Sequence, residues 1–189
     1  ESANTYTVDR TFFDGVSTAT GTHTITVTAA DTEWAGPKTI CYSTGATPVP
    51  GVNGVPTGAT CVGGVTNLLT AYTANKGTGN RRHLLQAGDT FSLPSTLTID
   101  LDGPSMFGKF GSGAKPIISV STSGSNAAIQ ISGSSTPNLS NWRFVDLDLR
   151  GPATDTDNPC FFFSGSASKV LFLRCDMKDF CYGIKGSHF

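Results

Sequence analysis

From about Ser95 to the end of this 189-residue chain, two kinds of strand segment recur in a fixed order. The first kind reads LTIDLDG (97–103), FVDLDLRG (144–151) and FLRCDMKD (172–179). The second reads IQISGSS (129–135), FFSGSAS (162–168) and GIKGSHF (183–189). One set aligns on Asp102, Asp148 and Asp176, the other on Gly133, Gly165 and Gly186. In each set the shorter interval is about one solenoid coil long, and the longer holds an insertion such as the Gly-rich stretch 105–116. Strand side chains alternate between faces. Leu97, Ile99 and Leu101 then share an inner face with Val145, Leu147 and Leu149, and with Leu173, Cys175 and Met177. The outer face carries Asp100, Asp146 and Arg174, then Asp102, Asp148 and Asp176, then Arg150 with Lys178. A one-residue slip would turn these charges inward. Ordered recurrence of two strand types points to parallel stacking in a solenoid rather than to an antiparallel sandwich.

Residues 1–36 precede this repeat. THTITVT (22–28) alternates strictly, as a half-buried strand does, with His23, Ile25 and Val27 on one face and four threonines on the other. A second short strand is expected at 5–8. Two strands alone are marginal, so they either dock on the remainder or end an earlier domain. GTHTITVTAAD resembles the last strand of immunoglobulin-like domains of bacterial surface proteins.

Residues 37–80 begin with a loop. Pro48, Pro50 and Pro56, with several glycines, keep 41–61 from long regular structure. Cys41 and Cys61 flank it. A disulfide between them would contribute roughly 3 kcal/mol in the chain-entropy model; the alternative is two buried thiols. TNLLTAYTANK (66–76) is the best helix: Leu68, Leu69, Ala71 and Tyr72 can share a face, and Gly77 stops it.

Next, RHLLQAGDTFSL (82–93) places an apolar strand, a Gly88-Asp89-Thr90-Phe91 turn and another strand in succession. Gly88 permits a tight bend, and Asp89 can hold backbone amides there. This passage resembles the opening of right-handed β-helix proteins of the pectate-lyase-like superfamily, and the resemblance extends over about 82–189. It implies that the 66–76 helix covers the first end of the stack, where backbone groups would otherwise lie unpaired. The expected fold is all-β: an N-terminal β-strand segment (1–36), a disulfide-closed loop with a short capping helix (37–80), and a right-handed parallel β-helix (81–189). Phe189 falls within a strand pattern, so further coils, or a second copy of the chain, are expected to cover the far end.

The five cysteines, Cys41, Cys61, Cys160, Cys175 and Cys181, form no CxxC or CxxCH. That speaks against a zinc ribbon, a thioredoxin-like site and haem attachment. Wide cysteine spacing and Thr/Ser-rich strands fit an oxidising compartment. Aligning Gly165 with Gly186 sets Cys160 beside Cys181, which predicts a bridge or stacked pair and leaves Cys175 as a buried thiol. Charged residues are only 14% of the chain and the net charge is −1, so there is no basic field for nucleic acid or anionic membrane. No run of about 18 apolar residues is present to span a bilayer. No signal peptide opens at Glu1, so a secretory signal is expected upstream or already removed.

The outer column Asp102, Asp148 and Asp176, flanked by Asp100, Asp146 and Arg174, is the candidate site. Carboxylates about 5 Å apart on successive coils could hold calcium, which accepts six to eight oxygens in flexible geometry. The resemblance implies calcium-assisted binding of an acidic sugar, with Arg174 or Arg150 as the base of a lyase. Carboxyls so spaced also suit a retaining glycosidase. The plainer reading is local: Asp102 and Asp148 sit near Gly-Pro turns, and Asp146 with Arg174 forms a surface ion pair. The polygalacturonase motifs NTD, DD, GHG and RIK are absent. Trp142, Phe144 and Phe172 fall on the acidic face, where aromatics suit sugar binding or packing beneath the 105–116 insertion. His23, His83 and His188 assemble no Ser/His/Asp set, and GSGAKP is not a P-loop. Asn138-Leu139-Ser140 is an N-glycosylation sequon, relevant only in a eukaryotic secretory host; the chain looks bacterial.

Three functions are expected from this pattern. The first is an extracellular or cell-surface module engaging polysaccharide along its outer face. The second is a polysaccharide lyase or glycoside hydrolase with further coils. The third is a structural subunit of an adhesin or appendage that self-associates through the open end.

Overall fold

The structure, a computed structural model, describes residues 4–13, 18–27, 29–121, 126–133, 139–152 and 157–186, the first two stretches as backbone. Among the described residues the fold is all-β with two short helices. β1 (Asn4–Phe13) and β2 (Thr18–Val27) pair antiparallel, Asn4 opposite Val27 and Phe13 opposite Thr18. Both run beyond the stretches that alternation suggested. The expected faces of His23, Ile25 and Val27, and the sequon at Asn138, lie outside what is described.

α1 (Ala30–Glu33) and a 3-10 turn (Gly36–Lys38) follow. Trp34 pins this segment to the body. It is buried, its Nε1 donates to the Pro104 carbonyl at 3.0 Å, and the guanidinium groups of Arg82 and Arg143 lie 5.8 and 5.6 Å from its ring. β3 (Thr39–Tyr42) and β4 (Thr60–Val62) then bracket the proline-rich loop. α2 (Leu68–Asn75) is capped by Asn67, whose side chain accepts from the Thr70 amide at 3.2 Å. Its Leu68 and Tyr72 are fully buried in the main core.

From here the strands come in threes: β5 (Arg82–Gln86), β6 (Thr90–Leu93) and β7 (Leu97–Ile99), then β8 (Ser105–Phe110), β9 (Ile117–Val120) and β10 (Ile129–Ile131). β11 (Leu139–Val145), β12 (Asp148–Arg150) and β13 (Pro159–Phe163) make the third set; β14 (Ala167–Leu173), β15 (Asp176–Lys178) and β16 (Tyr182–Gly186) make the fourth. The first member of each set joins one sheet, in the order β14-β11-β8-β5-β3-β4. The second members form a sheet ordered β15-β12-β9-β6, and the third members one ordered β16-β13-β10-β7. Every pairing in these three sheets is parallel. The order fits a parallel β-helix.

Register sets like residues opposite one another along each sheet. Phe91, Ile118, Leu149 and Met177 face one another along the second sheet. Leu97, Ile129, Phe161 and Ile184 do so along the third. Along the first sheet, His83, Phe107, Phe144 and Phe172 stack ring on ring, with centroids 5.0, 6.1 and 5.3 Å apart. Each such pair adds about 0.5–1.5 kcal/mol beyond its buried area.

Three expectations are corrected. First, 97–103 is not equivalent to 144–151. Leu97 and Ile99 belong to the third sheet, opposite Ile129 and Ile131, whereas 144–151 crosses a corner from β11 to β12. Second, Trp142 and Phe144 point inward and are 1% and 0% exposed, while Leu173 is 40% exposed. Asp146 (φ 58°) and Arg174 (φ 53°) take left-handed backbone at the corners, and Asn141 (φ 63°) and Lys169 (φ 54°) do so within the strands. Each such residue breaks the two-residue period, so strict alternation cannot be carried through it. Third, Gly186 lies opposite Phe163, two residues from the expected match with Gly165, whereas Gly133 and Gly165 do stack.

Candidate functional site

The corner between the first and second sheets repeats in all four sets: Ala87 to Asp89, Gly111 to Pro116, Asp146 to Leu147, and Arg174 to Cys175. Backbone hydrogen bonds tie successive corners together, Ala87 N to Phe110 O at 2.9 Å and Asp146 N to Leu173 O at 3.0 Å. One outward line beside the corner reads Thr90, Ile117, Asp148 and Asp176; the next reads Ser92, Ser119, Arg150 and Lys178. The expected neighbours Asp148 and Asp176 are thus adjacent, as are Arg150 and Lys178.

These charges interlock. Arg174 grips Asp146 with two bonds, Nε to Oδ1 at 2.6 Å and Nη2 to Oδ2 at 2.8 Å. This bidentate bond, aided by Lys109 and Lys115, holds the Asp146 carboxyl below the usual carboxylate range. Asp148 is only 6% exposed. Its Oδ2 accepts from Arg150 Nη2 at 2.8 Å and from Lys178 Nζ at 3.4 Å, and Oδ1 is buried without a hydrogen-bond partner. Burial opposes ionisation of Asp148, but Arg150 and Lys178 outweigh it and its carboxyl too is lowered. Asp176 pairs with Lys115 at 3.0 Å. The cationic ends remain accessible: the Arg150, Lys178 and Arg174 side chains are 46%, 52% and 60% exposed.

The other expected site residues lie elsewhere. Asp100 pairs with Lys76 at the end of α2, at 2.7 Å. Asp102 accepts from the Ser140 amide at 2.7 Å and its hydroxyl at 2.9 Å. Burial is outweighed there by these bonds and one from Gly103, and the carboxyl is lowered. Asp102 follows a third-sheet strand and so falls outside the line of Asp148 and Asp176. Trp142 is a core residue whose Nε1 donates to Leu101 O at 2.8 Å. The calcium column therefore does not assemble. Asp148 and Asp176 already accept from cationic side chains, and among the described residues no three His, Cys, Asp or Glu side chains group to hold a metal. Arg174 is engaged by Asp146.

Sequence reasoning did not find the cleft at the upper end of this corner, of about 1010 Å³. The loop from Ser43 to Val55 forms one wall; Gln86, Asp89, Phe110 and Ser112 line the opposite side. Asp89 fastens the loop, accepting from Thr44 N at 2.8 Å and Ser43 Oγ at 3.2 Å. The Gly88-Asp89 turn was a legible signal for a bend, but nothing local showed that its carboxylate reaches a loop more than forty residues earlier. Lys115 was missed for a similar reason: its partner Asp176 is 61 residues away.

All five cysteines are free thiols. The expected Cys160–Cys181 pairing fails on register: Pro159 lies opposite Tyr182, so buried Cys160 and exposed Cys181 are offset by two positions. Burial and the nearby Cys175 push the Cys160 thiol up instead. Cys41 and Cys61 do lie opposite one another, without a bond between them. No protein-family model, curated protein or solved structure matches the chain.

Proposed function

We propose that this chain is a right-handed parallel β-helix module, of pectate-lyase-like type, that is secreted or displayed at a cell surface and engages polysaccharide along one outer corner. Right-handed crossovers are the rule where a strand returns parallel to its predecessor. The reading rests chiefly on one observation: exposed Arg150 and Lys178 are stacked on neighbouring strands, with exposed Arg174 at the corner beside them and an open cleft at the same corner of the earlier strands. Coils rise about 4.8 Å each, close to the length of one sugar residue. A corner that repeats at this interval can meet successive residues of a linear polymer with the same kind of contact. Carboxylates hold the cationic heads in place, which lowers the ordering cost of binding. Hydroxyl-bearing Ser92 and Ser119 continue the line towards the cleft.

Lowered carboxyls at Asp146 and Asp148 support binding over hydrolysis, since a general acid needs a raised one. A second reading, assembly into a larger surface structure, is favoured by Leu171, Leu173, Tyr182 and Ile184, which stand exposed on β14 and β16. Both strands lie at the edges of their sheets.

Affinity electrophoresis and calorimetry against neutral and acidic polysaccharides test the proposal. Each charge-assisted contact is worth about 1.5–3 kcal/mol. Arg150→Ala with Lys178→Ala should therefore weaken binding by roughly tenfold or more, without release of sugar products. Retention of full affinity would remove the corner from the site. Ordered self-association with no response to any glycan would favour the assembly reading.

A further inference from the structure

Cys41 and Cys61 hold directly opposed positions on parallel strands β3 and β4, and Cys61 packs against the buried cluster that contains Cys41. Strands so paired lie about 4.8 Å apart, within the Cα separation that a disulfide tolerates. Access to the two differs. Cys41 is fully buried, in a small cluster with Val55, Ala59, Leu84 and Phe110. Cys61 is partly exposed at the sheet edge. Between them runs the loop whose first part walls the cleft, and Val55 and Phe110 belong both to that cleft and to the cluster around Cys41. A covalent link between the strands would tie both feet of the cleft wall.

We propose that Cys41 and Cys61 form a reversible clasp, closed by thiol–disulfide exchange with an external disulfide, that locks this wall. Exposure sets the order of events. The Cys61 thiol gives its proton to solvent, and its sulfur attacks one sulfur of the oxidant. The oxidant's S–S bond breaks, and its other half leaves as a thiolate that takes up a proton. Cys41 then loses its proton and attacks the Cys61 sulfur of the mixed disulfide, and the second half departs as a thiol. Two protein thiols become one disulfide while the external disulfide is reduced to two thiols. Burial pushes the Cys41 thiol up to about 12, with Cys61 adding to the effect and Arg82 opposing it, so closure should be slow at neutral pH and quicken in alkali.

The inference is independent of the glycan reading. Wild-type protein is incubated with oxidised glutathione at mildly alkaline pH and followed by intact mass, peptide mapping and limited proteolysis. The expected result is a mass lower by two hydrogens, a linked Cys41–Cys61 peptide, and slower cleavage between Ser43 and Thr60. Dithiothreitol should reverse all three. Cys41→Ser should instead trap one glutathione on Cys61. A lasting glutathione adduct on wild-type Cys61, or linkage confined to Cys160 and Cys175, would overturn the proposal. The wild-type outcomes decide it even where the variant does not fold.

Discussion

His83 is 1% exposed, enclosed by Tyr42, Tyr72 and Phe107. Its Nδ1 shares a 3.0 Å hydrogen bond with the Tyr42 hydroxyl. Burial, helped by Arg81, pushes the imidazole down to about 3, far below its ordinary value of about 6.5. Between those values the unfolded chain binds a proton that the folded chain refuses, so folding stability falls as pH drops through this window. Urea unfolding across that range should show a slope of up to about 1.4 kcal/mol per pH unit. In His83→Gln the slope should flatten. Below about pH 4, the lowered carboxyls of Asp102, Asp146 and Asp148 should add a further loss in both proteins. Identical slopes for wild type and variant would show that His83 is not the buried base described.

At the level of elements, tight contact between coils governs the third-to-first-sheet turns. A Cβ on Gly165 would run into the Gly133 backbone, and one on Gly133 into Ser166. Gly165→Ala should therefore destabilise by about 1–3 kcal/mol, measured by thermal or denaturant unfolding. The same substitution at Gly113, an exposed corner glycine with open space around its Cβ, should act only through its backbone, since its φ is 117°. The Gly133–Gly165 match was legible in the sequence because glycine answers the same steric demand at both of these stacked turns. Asp148 over Asp176 was legible too, since Leu-Arg and Met-Lys follow in step. The strand 97–99 was misplaced because three alternating residues look alike on any sheet. Trp142 was turned outward because no residue type announces that Asn141 and Asp146 leave the β region. Of the candidate site, the Asp148, Asp176, Arg150 and Lys178 group could be read; the cleft could not, because it depends on a loop packing against distant corners.

Across the whole molecule, the three sheets enclose one continuous core from Ile40 to Met177, with α2 packed into it through Leu68 and Tyr72. Parallel pairing makes the outer surface periodic, and a periodic surface is what lets isolated charges become a line of contacts. The proposed glycan site, the cleft and the proposed thiol clasp all inherit their positions from that register. It is tested most directly by nuclear Overhauser contacts in labelled protein. Leu149 should contact Ile118 on one side and Met177 on the other, and Phe161 should contact Ile129 and Ile184. Cross-strand contacts in an antiparallel pattern, or Leu149 touching neither neighbour, would contradict the stacked coils and everything built on them.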